Sequence, residues 1–479
     1  MKRLLPLAAG LLLAGCLDNP PYQRPQQPLP QQWREAQPAV AAAAEAWWGG
    51  FGDAGLQRLQ QQAVAGSPDL QMAVDRMLIA RDEVRSARSH LYPTVAINGL
   101  PPDPINTAFA VNAGRQLDVD QNLYEISIDA DYEFDFWGRV HNSIVAANAG
   151  YQASVFDAGT VYIALRCAVA RTYFELRELD EAAALAQQRL DLAAGRLRLV
   201  QLRQAAGRSA AAPVLEAQQA PREAQARVEI LRAARRGTAD ALAVLIGVAP
   251  ESFDLPVQPL RAAVAVPVPP EGLPSTLLER RPDIRAAEAR LQAAHADIAV
   301  ARAALFPQVG LTAKFGFVAE DLNGLSTQGT TVIGAGPTIS YSVFDAGRLQ
   351  ARLDESRRQQ DLLLADYRKS ILAGLADVEK ALSEYRQSGN AAGRAEQAQQ
   401  DQQAQLRRLQ QGLDAGRQSR LELIAAQDRD LELQEDAVRI YRQRLDSLLA
   451  LYQALGGGWS PADLPVPADA PKEPKGSAP

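Results

Sequence analysis

Few side chains in this sequence are spaced for chemistry. The three histidines, His90, His141 and His295, are scattered without ligand spacing, and the two cysteines, Cys16 and Cys167, form no zinc motif. Gly456-Gly457-Gly458 follows the last helical pattern instead of opening one, so it is no phosphate loop. Catalysis, a cofactor and a bound metal are therefore not expected. Cys16 is different. Lys2 and Arg3 precede an apolar run, Leu4 to Leu13, too short to span a bilayer, and the run ends in Leu13-Ala14-Gly15-Cys16. That tetrapeptide resembles the bacterial lipobox, whose cysteine becomes the acylated first residue of the mature chain. Residues 1–15 then read as a lipoprotein signal peptide and Cys16 as the lipid attachment site, each buried methylene adding about 0.8 kcal/mol of membrane affinity. Leu17, not Asp, follows, which removes the commonest inner-membrane retention signal. Cys167 lies in an apolar helical stretch and reads as inert core, with no disulfide.

A second group of reactive side chains is acidic. Glu125, Asp129, Asp131, Glu133 and Asp135 occupy odd positions, while Tyr124, Ile126, Ile128, Ala130, Tyr132, Phe134 and Phe136 occupy even ones. Unbroken alternation means a strand with two faces of opposite character. Such a strand belongs either to a soluble sheet with its apolar face on a core, or to a membrane with lipid outside and a wet lumen inside. The second needs about 9–11 residues, which this run supplies. Lumen-facing carboxylates would favour cations over anions.

The elements that must position these residues come twice. Gly138-Arg139 recurs as Gly347-Arg348, Gly207-Arg208 as Gly416-Arg417 and Gln218 as Gln427, all at a spacing of 209 residues. Leu91-Tyr92-Pro93 recurs as Leu305-Phe306-Pro307 at 214, so an indel separates the two blocks. Each copy supplies equivalent pieces of one assembly. Strand patterns fall in two pairs, within 94–136 and 307–344, with Pro337 weakening the last ladder. Four strands cannot close a barrel, and an open edge in lipid costs several kcal/mol per unpaired backbone group. Several chains must share one barrel: with roughly eight strands as the minimum, two copies give eight and three give twelve.

The remainder is helix. The chain is 47% hydrophobic but only 6% aromatic, and no proline interrupts 139–204 or 348–411, so each copy can hold a helix of about 100 Å. Gly389, Asn390 and Gly393 mark a candidate kink in the second. The Gly-Arg pairs read as turns, each followed by a shorter return helix. A net charge of −6 and the absence of a basic aromatic patch argue against nucleic acid. The organisation is an extended Pro- and Gln-rich arm (16–52), a first repeat (53–247), a Pro-rich linker (248–274), a second repeat (275–459) and a disordered tail (460–479).

Several motifs together resemble one family. The lipobox, Trp47-Trp48, Phe136-Trp137-Gly138-Arg139, Arg280-Arg281-Pro282-Asp283-Ile284 with Leu305-Phe306-Pro307, and the Ala454-Leu455-Gly456-Gly457-Gly458-Trp459 end are similar to the outer-membrane factors of tripartite efflux pumps. The likeness is to their lipoprotein branch, the OprM/NodT type, with TolC-like members more distant, and it covers essentially the whole mature chain. It implies a mainly α fold with a membrane β-barrel portion: a homotrimer whose twelve-stranded β-barrel in the outer membrane continues into a twelve-helix periplasmic α-barrel. It also implies a periplasmic membrane-fusion adaptor and an inner-membrane pump of the RND type as partners, and passive export of drugs or other small toxic solutes. A lipid-anchored periplasmic coiled-coil scaffold without a pore is the alternative; it accounts for the helices and Cys16 but not for four amphipathic strands. The family carries Leu-Asp-Ala-Gln after the second turn, where this chain has Ile424-Ala425-Ala426-Gln427, so Ala425 cannot supply the constricting charge. The matching first-copy run is Leu215-Glu216-Ala217-Gln218, which makes Glu216, with Leu421, the candidates for the periplasmic constriction. By the same resemblance, Gly207, Arg208, Gly416 and Arg417 are the candidate adaptor-docking tips.

Overall fold

The computed structural model describes residues 20–30, 32–34, 47–100, 111–112, 115–116, 124–208, 210–267, 277–319, 322–323, 325 and 330–467. The signal peptide, Cys16 and the end of the tail lie outside the described residues. Seven long helices carry most of the described chain: α1 (Ala54–Gly66), α2 (Pro68–Ser89), α3 (Arg139–Ala205), α4 (Ala212–Leu245), α5 (Pro282–Ala303), α6 (Arg348–Asp414) and α7 (Arg420–Ala454). Among them run four long strands, β1 (Thr94–Leu100), β2 (Tyr124–Phe134), β3 (Gln308–Ala319) and β4 (Thr330–Ser340). Local sequence explains the boundaries. Asp53 caps α1, its carboxylate accepting from the Gly55 and Leu56 amides at 2.6 and 3.0 Å, and Pro68 opens α2 where its missing N–H costs nothing.

The chain divides into two compact units. The first gathers Leu78–Ala153 and Ala287–Tyr367 with the N-terminal residues up to Pro25, and it contains the sheet. All four strands are antiparallel in the order β1-β2-β3-β4. The two strand pairs therefore do not stand apart: β2 of the first repeat pairs with β3 of the second from Tyr124↔Ala319 to Phe134↔Val309. Trp137 fastens this junction, stacking on Phe306 at 4.9 Å and donating its indole N–H to the Pro307 carbonyl at 2.7 Å. β2 ends two residues before the alternation does, because Asp135 turns to cap α3. Pro337 does not interrupt β4: it sits opposite Leu311 on a strand whose other edge has no partner among the described residues, where a missing donor is tolerated. In the same unit the arm straps α5, Arg24 gripping Glu288 with two bonds of 2.6 Å and His295 bonding the Pro20 carbonyl.

The second unit comprises Gln26–Met77, Ser154–Ala286 and Arg368–Pro479. Its core includes Phe51, Tyr173, Phe174, Leu176, Leu242, Leu445 and Leu448. One 18-residue stretch of α3 is apolar enough to cross a membrane, with mean hydropathy 1.3, yet 67% of it is buried inside the chain, which fits a core helix. Asp180 organises the linker here. Its buried carboxylate accepts from Arg177 (2.9 Å), Arg235 (2.5 Å) and the Gln258 amide (3.1 Å), while the two arginines also bond the Pro256 and Leu255 carbonyls. Burying a carboxylate is tolerable only with such partners. Gly159 leaves room for the Trp459 ring, which a Cβ would approach to 2.5 Å. The tail differs from the expectation of disorder from 460 onward: Pro461–Asp463 forms a short turn and Leu464 is buried. The candidate kink at Gly389 to Gly393 leaves α6 as one uninterrupted helix of 67 residues.

Candidate channel surfaces

The sheet exposes the wrong face for a soluble protein. Val95 and Ile97 on β1, Ile126 and Ile128 on β2, Leu311, Phe315 and Phe317 on β3, and Ile333 and Ile339 on β4 share one face by register. Their exposure runs from 37% at Phe317 to 78% at Ile333, so no element among the described residues covers the apolar side. An uncovered patch of this extent marks an interaction with lipid or another chain. At the strand ends nearest the helices, Tyr92, Phe136, Tyr341 and Phe344 are all exposed aromatics, the position of an interfacial girdle.

The opposite face is polar and laced with bonds. Glu125 forms an ion pair with Lys314 of β3, and Asp129 accepts from Asn98 of β1 at 2.6 Å and from Ser127 at 3.0 Å. Glu133 takes two bonds from Arg139, at 2.8 and 2.5 Å. Asp131 lies in register between Thr94 and Thr312. Asp135 does not belong to this row: it lies beyond β2, and its carboxylate accepts from the Val140 and His141 amides at the positive end of α3. The acidic row is thus partly neutralised by Lys314 and Arg139, residues that alternation within a single strand gives no means to find. Lys314, the one charged residue of β3, was the available signal.

In the second unit the two hairpin turns close alike. The Gly207 amide donates to the Gln204 carbonyl at 2.9 Å and the Arg208 amide to Arg203 at 2.8 Å; Gly416 and Arg417 repeat this with Leu413 and Gly412. This is the Schellman arrangement, which needs φ near +70°, and Gly207 and Gly416 adopt +69° and +68°. Both arginine side chains are exposed. The second turn carries a capping box, Ser419 with Glu422. Glu216 is exposed, whereas Leu421 packs against the buried cluster of Val200, Val214 and Ala217 and so joins α7 to α3 and α4. Further along this seam Arg189 of α3 meets three acids of α7: Asp428 at 3.0 Å, Glu432 at 3.2 Å and Glu435 at 3.7 Å. Burial raises the Glu435 carboxyl above its ordinary range against the pull of Arg189 and Arg227. This ion cluster escaped the sequence reading because its members come from different repeats.

A chain that repeats a strand pair and a helical hairpin, and leaves an apolar sheet face uncovered among its described residues, has the makings of a membrane channel protein. Residues 59–248 and 273–457 each match the model of the outer membrane efflux protein family, and the chain belongs to that family. The matched segments follow the internal duplication. It is an outer-membrane efflux channel protein. The pyoverdine export outer membrane protein OpmQ of Pseudomonas aeruginosa is 32% identical over 96% of this chain and 97% of its own length. The solvent efflux pump outer membrane protein SrpC of Pseudomonas putida is also 32% identical, over 95% and 98%. Among solved structures, the open state of the Neisseria gonorrhoeae MtrE outer membrane channel superposes with a TM-score of 0.79 at 29% identity, covering 92% of this chain and 98% of that one.

Proposed function

We propose that three copies close a twelve-stranded barrel in the outer membrane, continuous with a twelve-helix periplasmic tunnel, and that Cys16 carries the lipid anchor. The observation that carries this reading is the pairing of an exposed apolar face with two edges, at β1 and β4, that have no partner among the described residues. Lipid satisfies the face, and only further strands satisfy the edges. A lipid-anchored scaffold without a pore leaves both unexplained. Solute then moves passively down a wet duct from an inner-membrane pump of the RND type, handed on by a periplasmic adaptor docked at the Gly207-Arg208 and Gly416-Arg417 turns. The chain itself supplies no energy and no chemistry.

Pyoverdine and solvents, the cargoes in the relatives' names, are small organic solutes, and this duct serves the same class. Glu125, Asp129, Asp131 and Glu133 line the lumen and bias it toward cations, an effect trimmed by Lys314. Glu216 supplies charge at the closed periplasmic end, with Leu421 packed at the seam beside it. The oligomer is tested by migration of the purified protein on detergent gels before and after heating. A heat-dissociable trimer is the expected result; a monomer under both conditions contradicts the assembly.

A further inference from the structure

Building on the reading that copies of this chain close one barrel, we propose the register in which they join: β4 of one copy pairs with β1 of the next, Val343 opposite Val95, Tyr341 opposite Ile97 and Ile339 opposite Gly99. The internal duplication supplies the rule. Moving β1 forward by 214 residues and β2 by 209, the two sequence spacings, carries Thr94↔Asp131 onto Gln308↔Ser340 and Leu100↔Glu125 onto Lys314↔Gly334, and both pairs are present. The flanking turns agree. The Leu91 amide donates to Arg88 and the Leu305 amide to Arg302, each at 3.1 Å, and Gly138 and Gly347 both take positive φ, +70° and +84°. The two repeats are therefore equivalent residue by residue across their strand pairs.

The seam that joins the repeats within one chain, β2 to β3, must then have a counterpart joining β4 to the β1 of a neighbour. Applying the same spacings in opposite senses carries Phe134↔Val309 onto Val343↔Val95, Tyr132↔Leu311 onto Tyr341↔Ile97, and Ala130↔Ala313 onto Ile339↔Gly99. Face parity agrees: Ile333 and Ile339 share the apolar face of β4, Val95 and Ile97 that of β1, and a slip by one residue would turn one set into the lumen.

This register also accounts for an otherwise unexplained segment. β3 begins at Gln308, opposite Ser340, so residues 341–344 have no strand beside them among the described residues, and Tyr341, Val343 and Phe344 are 56%, 89% and 87% exposed. In the proposed seam they extend β4 along the start of β1, with Phe344 opposite Thr94. Asp345 ends the extension, its carboxylate accepting from the Gly347 and Leu349 amides at 2.9 and 3.0 Å to cap α6. A slip of two residues one way places Val343 opposite Pro93, which lacks an N–H. The same slip the other way sets Asp345 on the apolar face opposite Val95.

Paired cysteines test this in full-length protein in outer membranes, oxidised with copper phenanthroline and run on heated, non-reducing gels. Ser342→Cys with Ala96→Cys, Tyr341→Cys with Ile97→Cys and Ser340→Cys with Asn98→Cys should each give a reducible oligomer ladder. The pairs slipped by two, Ser340→Cys with Ala96→Cys and Ser342→Cys with Asn98→Cys, should cross-link about tenfold less, since opposite Cβ atoms lie about 5 Å apart, diagonal ones about 7–8 Å, and a disulfide needs about 4 Å. Single-cysteine variants that keep the unheated oligomer identify the sites to score. A slipped pair cross-linking as well as an aligned one, or no ladder from any pair while unheated gels show the oligomer, overturns the register alone. A wild-type protein that runs as a monomer overturns the closed barrel beneath it.

Discussion

Removing the Asp180 carboxylate should destabilise this fold strongly. Its carboxylate is fully buried, as is all but 2% of Arg177, while Arg235 is 19% exposed. Asp180→Ala leaves Arg177 as a buried cation without its counterion, and breaking a buried pair this way costs about 3–5 kcal/mol. Two contacts moderate that figure: Arg177 keeps the Pro256 carbonyl at 2.5 Å and Arg235 keeps the Leu255 carbonyl at 2.7 Å. The lower end, about 3 kcal/mol, is therefore expected. Asp180→Asn keeps the shape and one acceptor but loses the charge, and should cost about 1–2 kcal/mol. Urea unfolding followed by tryptophan fluorescence reads the same unit, because Trp459 packs against Phe156 and Trp48 lies over Arg166 within it. The reasoning is refuted if Asp180→Ala loses less than about 0.5 kcal/mol, or if Asn is as damaging as Ala.

Three further outcomes are expected. Cys167 is buried and its thiol is pushed up to about 12, so native protein at pH 8 should resist maleimide that labels it after denaturation; labelling of the folded channel would show the α3 core to be open. Burial raises the Asp446 carboxyl above 3.8 despite Arg442, so its charged form weakens the fold: its contribution is favourable below the unfolded value and is lost as pH rises through the folded one. The stability of Asp446→Asn relative to wild type should therefore grow with pH across the carboxylate range, and a pH-independent difference would contradict the assignment. Arg189→Glu sets a fourth acid against Asp428, Glu432 and Glu435, and should raise proteolytic cleavage at the hairpin turns, more at low salt than at high; unchanged cleavage would show the seam to be held by packing alone.

Period and punctuation made much of the fold legible. Alternation gave β2 and β3, proline-free runs gave α3 and α6, and Gly-Arg pairs gave the turns, because each is a local backbone preference. What stayed hidden was non-local. Nothing in a single strand tells that β2 lies beside β3, so Lys314 against Glu125 could not be read from the acidic row. Asp135 was misplaced in that row because capping and alternation compete at a strand exit, and the helix terminus won. The motifs offer Leu421, with Glu216, as a constriction candidate, while its packing on Val214 and Ala217 of the other repeat is visible only in the folded chain.

The central claim is that the uncovered apolar sheet face and its open edges exist to form a pore with further copies. Single-channel recording of the purified full-length protein in planar bilayers tests it most directly. Discrete conductance steps that appear only with the heat-dissociable oligomer are the expected result. A protein that stays monomeric without detergent and never raises bilayer current would contradict it.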